Sequence, residues 1–438
     1  MLKRKFYDYL TEWKRTKKRE CLLVNGARQV GKTFIIEKFG KENYKQYIYI
    51  NFVKNPEYRT IFEGSLEPEE LYRKMSLTLP RFRLEKKNTL IFLDEIQVCL
   101  KARTALKFLA LEDDYDVIVS GSLLGIHYRD EEAPQDEISI PVGYERKVLM
   151  HALDFEEYLW AMGVSEEAIS ILRDHFDKRT KMDPSLNDRY MRLLREYLFV
   201  GGMPDVVNVF LSTNNFQEVH QAQEKVLRAY EDDIDKYAKN AEKPKIRSIY
   251  RSIPRQLAKE YTKFQYKTVE KNGSARKYDN AIDWLVDAGL ICGLYNVSLP
   301  MMPLRAYEKP TEFKMYVSDI GLLTAMYGFE SQRALLENTL VGPAKGGIYE
   351  NLIFTFLYKK EKTMFYYRKE NSTQELEFLF EQNGGAVPVE VKSSHGRTIS
   401  LNEYIREYNP PLAYKLVDGN IGEDGQRITL PLYMAMFL

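Results

Sequence analysis

The run Cys21-Leu-Leu-Val-Asn25 leads directly into Gly26-Ala-Arg-Gln-Val-Gly31-Lys32-Thr33, and an apolar stretch with Phe34, Ile35, Ile36 and Phe39 follows. Strand, glycine-bounded loop and helix in this order restrict the chain to an α/β sheet fold with a ligand at the carboxyl end of a strand. Gly26 and Gly31 let backbone N–H groups turn inward around phosphate oxygens. Lys32 is placed to reach the β- and γ-phosphates of a nucleotide, and the Thr33 hydroxyl to ligate Mg²⁺. The helix beginning at Lys32 aims its positive end at the anion. The expected cradle for ATP is therefore Gly26, Ala27, Arg28, Gln29, Val30, Gly31, Lys32, Thr33 and Phe34.

A second stretch fits the first. Thr89-Leu-Ile-Phe-Leu-Asp94-Glu95 is an apolar strand ending in two carboxylates, the Walker B pattern. Asp94 is expected to hold Mg²⁺ through its water, and Glu95 to act as general base on the attacking water. Glu95 also argues against a small-molecule kinase, which needs no water-activating carboxylate there. Val117-Ile-Val-Ser120-Gly-Ser122 is another apolar strand ending in hydroxyls. Two readings of it stand: Ser120 or Ser122 senses the γ-phosphate beside the acidic strand, or the pair marks a turn.

Composition narrows the setting. The 438 residues predict roughly two to four domains. A net charge of +1 excludes a general polycation, so any nucleic-acid site must be a local patch. Cys21, Cys99 and Cys292 have neither metal-ligand nor redox spacing, which fits a reducing cytoplasm. The basic N-terminus lacks the apolar run of a secretory signal, and no stretch approaches the ~20 apolar residues of a membrane span. A cytoplasmic protein with no membrane partner is expected.

Four regions follow in order. Residues 1–150 open with an amphipathic helix carrying Phe6, Leu10 and Trp13, then alternate strand and helix as a P-loop core. Candidate strands are Cys21–Asn25, Tyr47–Phe52, Thr89–Asp94, Val117–Ser120 and Lys147–His151; Glu131–Ser139 reads as a loop. Residues 151–240 read as mostly helical, a lid over the nucleotide. Residues 241–305 are basic: from Lys243 to Lys277 there are eleven Lys or Arg and two Glu. A helix there ending in Ala288-Gly289-Leu290-Ile291, followed by two short strands, suggests a winged helix-turn-helix. Residues 243–290 are thus a candidate DNA-contacting surface, or a solvated basic face. Residues 306–438 form a second α/β pattern. Glu350 lies on a predicted helix, Glu375 and Glu377 share one strand face, and Glu390 and Lys392 share another. Two readings stand: the PD-(D/E)XK nuclease pattern, with Glu350, Glu377 and Glu390 as metal ligands and Lys392 orienting water, or solvated strand residues, since Glu-x-Lys is common.

Gly26–Thr33, Leu93-Asp-Glu-Ile-Gln97, Ser120-Gly-Ser122, Asp154-Phe-Glu-Glu-Tyr158, Gly201-Gly-Met-Pro-Asp205, Asp319-Ile-Gly-Leu322 and Glu390-Val-Lys392 occur in this order across nearly the whole chain. Together they resemble the bacterial and archaeal AAA-type ATPases with a C-terminal DUF4143 domain. The resemblance implies an ATPase core, a winged-helix region and a restriction-endonuclease-like C-terminal domain. That family has Glu-x-Asp-Phe where this chain has Glu375-Leu-Glu377-Phe378, which makes Glu377 the metal ligand, one methylene longer than Asp. Arg146 is the expected arginine finger, with Arg129 and Arg28 as alternatives.

The fold class expected is α/β: a P-loop parallel sheet, a helical lid, a winged-helix region and a nuclease-like domain. The expected activity is Mg²⁺-dependent ATP hydrolysis coupled to a DNA-binding C-terminal half. The rival readings are an ATP-driven protein-interaction switch and an ATP-gated nuclease. Homo-oligomerisation is left open.

Overall fold

The computed structural model describes residues 2–80, 82–121, 143–370, 372, 374–392 and 398–438. Ser122, Arg129 and the expected loop Glu131–Ser139 lie outside the described residues. The chain divides into two compact units. One comprises residues 4–152 with 287–289, the other residues 1–3, 153–286 and 290–438.

The first unit is built on a parallel sheet. Its strands are β1 (Cys21–Asn25), β2 (Gln46–Asn51), β3 (Thr89–Asp94), β4 (Asp116–Ser120) and β5 (Glu145–Leu149), in the spatial order β2-β3-β4-β1-β5. Helices α1 (Lys5–Thr16), α2 (Lys32–Asn43), α3 (Pro68–Thr78) and α4 (Leu100–Glu112) accompany it. The strands β3 and β4 are buried at every position, because helices cover both sheet faces and continuous apolar runs satisfy both at once. Leu23, Ile50, Ile91, Leu93, Val119 and Leu106 share the core of one face. Burying each contributes roughly 1.5–3 kcal/mol before chain entropy is subtracted.

Register sets the position of the site. Asn51 is opposite Asp94, Leu93 opposite Val119, and Val24 opposite Ser120. The polar ends of β1, β2, β3 and β4 therefore meet at one edge. The strand expected at Lys147–His151 starts two residues earlier, where Glu145 comes into register with Cys21. As the edge strand, β5 tolerates charge: its first residue, Glu145, is held by Arg103 of α4 at 2.9 Å.

The second unit combines helices with a mixed sheet. Its helices before the sheet are α5 (Phe155–Ala161), α6 (Glu166–Lys178), α7 (Pro184–Val200), α8 (Pro204–Thr213), α9 (Phe216–Tyr237), α10 (Lys243–Leu257), α11 (Tyr266–Val269) and α12 (Ala275–Asp287). Strands β6 (Ile291–Val297), β7 (Glu308–Val317), β8 (Met364–Arg368), β9 (Glu375–Gln382), β10 (Gly385–Lys392), β11 (Ala413–Val417), β12 (Gly422–Asp424) and β13 (Arg427–Pro431) form it. Their order is β12-β13-β11-β10-β9-β8-β6-β7. Helices α13 (Ile320–Met326), α14 (Phe329–Leu336), α15 (Pro343–Tyr358) and α16 (Ile399–Tyr408) lie between its strands in sequence. The ribbon expected of a winged helix does not stand alone: β6 pairs with β7 and also, in parallel, with β8, so both strands belong to the large sheet.

Several of the motifs quoted from this unit have a structural explanation. Asp154 caps α5 in a capping box with Glu157. Gly201 and Gly321 approach so closely that a Cβ on Gly201 would lie 2.7 Å from the Gly321 Cα. A Cβ on Gly202 would meet the Leu153 carbonyl oxygen at 2.0 Å. Buried Asp319 locks the crossing by accepting from the Gly202 N–H (2.8 Å) and the Leu322 N–H (3.1 Å). Burial pushes its carboxyl up, against the opposing pull of Lys359 and these amides.

Candidate functional site

The loop after β1 owes its shape to its glycines. A Cβ on Gly26 would meet the Met150 carbonyl oxygen at 2.3 Å. Gly31 sits at φ 94°, ψ 20°, immediately before α2, with Gln29 also left-handed at φ 65°. Lys32 folds back on this loop, its Nζ donating to the carbonyls of Gly26 (2.8 Å) and Ala27 (2.9 Å). Phe34, next along α2, is exposed.

Asp94 is the hub of the site and is buried. Its Oδ2 accepts from Thr33 Oγ1 (3.1 Å), the Tyr49 hydroxyl (2.9 Å) and Asn51 Nδ2 (3.1 Å). Its Oδ1 accepts from Ser120 Oγ and from the Glu95 N–H (3.1 Å). The structure thus brings together the P-loop hydroxyl, the acidic strand end and Ser120. Ser120 stands beside Asp94, where a sensor was one of the two readings. Tyr49 and Asn51 were not singled out from sequence. Their signal is weak, a polar pair alternating on a strand that ends level with Asp94.

Glu95 has a left-handed backbone, φ 58° and ψ 45°, and Gln97 Nε2 donates to its Oε2. Arg28 is half-buried on the loop. Arg146, the expected arginine finger, does not lie at this edge of its own sheet. It lies opposite Leu22, near the start of β5, and its guanidinium is 2.6 Å from Glu20 Oε1.

Burial lowers Lys32 to about 8, although Glu95 and Asp94 pull upward. The folded value lies below the unfolded one, so the charged ammonium is a cost below pH 8 that is relieved as pH rises toward ~10.4. With Lys32 pairing a phosphate, as its loop predicts, phosphate binding has the opposite dependence, because only the ammonium pairs with it. Affinity for a fluorescent ATP analogue is therefore expected to fall above pH 8, by up to ~10-fold per pH unit. Lys32→Arg should flatten that profile, since guanidinium does not titrate there. Equal profiles for both proteins would contradict this.

The second unit holds a carboxylate–lysine cluster. Lys392 Nζ is 3.1 Å from Glu390 Oε1 and 3.8 Å from Glu377 Oε1. Burial pushes Glu377 up to about 8, against Lys392, and raises Glu390 as well. The Glu390 Oε2 is buried without a hydrogen-bond partner. Glu350 is arranged differently. It accepts from Lys314 Nζ (2.7 Å), the Tyr316 hydroxyl (2.6 Å) and Thr262 Oγ1 (3.1 Å). Fully buried Lys314 also reaches Glu375 at 2.6 Å. Glu350 thus accepts from three protein donors, and its charge also acts on Glu377 and Lys392. Among the described residues no three acidic, histidine or cysteine side chains are grouped to hold a metal ion.

The basic stretch is largely paired. Arg251 makes a two-bond contact with Glu231 (2.8 and 2.7 Å), Arg247 pairs with Asp235, and Lys277 lies 2.6 Å from Glu270. Arg255, Lys267, Lys271 and Arg276 are exposed.

These features define a class: a P-loop nucleotide-binding unit joined in one chain to a second unit with a mixed sheet. Residues 18–159 match the family described as "AAA domain", so the chain carries an AAA domain there. Residues 191–333 match "Domain of unknown function (DUF8612)" and residues 345–432 match "Domain of unknown function (DUF4143)". No curated protein matches. Among solved structures, the Walker-type ATPase PABY2304 of Pyrococcus abyssi is similar at 13% identity and TM-score 0.44, over 75% of this chain and 96% of that one. The Pif1 helicase from Candida albicans is similar at 11% identity and TM-score 0.25, over 38% of this chain and 46% of that one. PCH-2 of C. elegans is similar at 12% identity and TM-score 0.21, over 41% and 48%. Among the described residues no helix is long and apolar enough to cross a membrane.

Proposed function

We propose that the first unit binds ATP and hydrolyses its γ-phosphate. The observation that carries this reading is the 3.1 Å contact between Thr33 Oγ1 and Asp94 Oδ2, which joins the phosphate-binding loop to the acidic strand end. The backbone N–H groups of residues 26–34 bind the phosphates, and Lys32 leaves its loop carbonyls to pair with the β- and γ-oxygens. Thr33 and Asp94 supply hard oxygen donors, few enough to suit Mg²⁺, which keeps several waters and shares phosphate oxygens. When bound, the ion neutralises charge between the β- and γ-phosphates. Glu95 accepts the proton of the attacking water. Ser120, Tyr49 and Asn51 hold Asp94 in one orientation. Hydrolysis by the Glu95→Gln protein, compared with wild type, tests the assignment.

A second reading concerns the other unit, where buried Glu390 Oε2 without a partner, beside Lys392 and Glu377, favours a metal-assisted site acting on DNA. Exposed Arg255, Lys267, Lys271 and Arg276 supply phosphate contacts whose binding weakens steeply with salt. Wild-type protein should nick supercoiled DNA with Mn²⁺, and Lys392→Ala should lose the activity. Equal nicking by both assigns it to a contaminant, and nicking by neither leaves the cluster a structural one.

A further inference from the structure

The catalytic carboxylate is held by a neighbour whose type matters. Glu95 follows β3 in a left-handed conformation that costs a non-glycine residue roughly 1 kcal/mol, and the surroundings fix it there. Its N–H donates to Asp94 Oδ1, and its carbonyl accepts from the Val98 N–H at 3.1 Å. Ile96, fully buried, pins the short 3₁₀ turn Ile96–Val98 into the core. The backbone is therefore fixed from both sides of Glu95. The side chain is a separate matter, because a glutamate has three rotatable bonds and a general base must meet its water within hydrogen-bond reach.

We infer that Gln97 is the positioning residue for Glu95. Its Nε2 donates to Glu95 Oε2 across the turn. A carboxylate offers about four acceptor directions, so one N–H on Oε2 orients the group and leaves acceptor capacity for water. A neutral amide does this without cancelling the charge that attracts the water's proton. An ammonium or guanidinium in its place would compete for that charge. Glutamate at 97 would set a second carboxylate against the first. Both side chains are only half-buried. The inference rests on Glu95 being the base.

The test is a double-mutant cycle on purified full-length protein, with wild type, Gln97→Ala, Gln97→Glu, Glu95→Gln and the Glu95→Gln/Gln97→Ala pair. Steady-state ATP hydrolysis gives kcat and KM, single-turnover assays with labelled ATP give the slow residual rates, and a fluorescent ATP analogue gives affinity. Gln97→Ala should lower kcat ~10- to 100-fold while affinity stays within ~2-fold of wild type. Gln97→Glu should lower it at least as far. In the Glu95→Gln background, Gln97→Ala should change the residual rate less than ~2-fold, because the group it orients is already gone. The inference is overturned if Gln97→Ala turns over like wild type while Glu95→Gln is inactive. It is also overturned if the same fold-loss appears in the Glu95→Gln background, or if affinity falls in step with kcat. Wild-type hydrolysis by Glu95→Gln would instead overturn the base assignment, whatever Gln97 does. A wild type that releases no phosphate removes both.

Discussion

Lys32→Ala should abolish tight nucleotide binding. In the folded chain the Lys32 ammonium rests on two carbonyls of its own loop, a neutral and replaceable pairing. A triphosphate offers it charged oxygens instead, and charge-assisted bonds are roughly twice as strong. Removing one partner of such a desolvated pair costs about 3–5 kcal/mol, which is roughly 150- to 4,000-fold in affinity. The loop should survive the change, because its turn is set by Gly26 and Gly31 and the carbonyls of Gly26 and Ala27 can take water. Titration with a fluorescent ATP analogue, alongside a thermal melt, separates the two effects. Retained affinity would remove Lys32 from the site, and a collapsed melting temperature would show that the loop depends on it structurally.

Glu95→Gln should have the opposite signature, with binding retained and turnover lost. The amide is nearly isosteric and its oxygen can still accept from Gln97, so the turn at 94–98 keeps its geometry. It cannot take a proton from water at neutral pH. General-base catalysis is worth typically ~10²- to 10⁴-fold, and kcat should fall within that range. ATP should remain bound in the variant after gel filtration in Mg²⁺, where wild type retains ADP. Turnover at the wild-type rate would show that some other group activates the water.

The nucleotide site was legible because its chemistry needs special backbone and strand ends. Glycines at 26 and 31, an apolar run and a terminal Asp-Glu are signals that few other structures require. Tyr49 and Asn51 were less visible, since their partnership with Asp94 depends on strand register and not on spacing along the chain. Arg146 lies near the start of β5, away from the phosphate loop of its own sheet, and in sequence an arginine reads the same whichever end of a strand it serves. In the second unit Glu377, Glu390 and Lys392 shared faces as alternation predicts. The pairing of Glu350 with Lys314 was hidden, because Lys314 looks like an ordinary strand lysine until the sheet folds it fully inside. The basic stretch also lost part of its meaning on folding, when Arg247 and Arg251 met the acidic face of α9.

Phosphate release from ATP by purified wild-type protein at saturating Mg²⁺, measured in parallel with Lys32→Ala, tests the ATPase assignment most directly. The wild type should release phosphate catalytically, over many turnovers. That release should stop on chelation with EDTA and be absent from the variant. Release by wild type no greater than that of Lys32→Ala, at a nucleotide concentration shown to saturate binding, would contradict it.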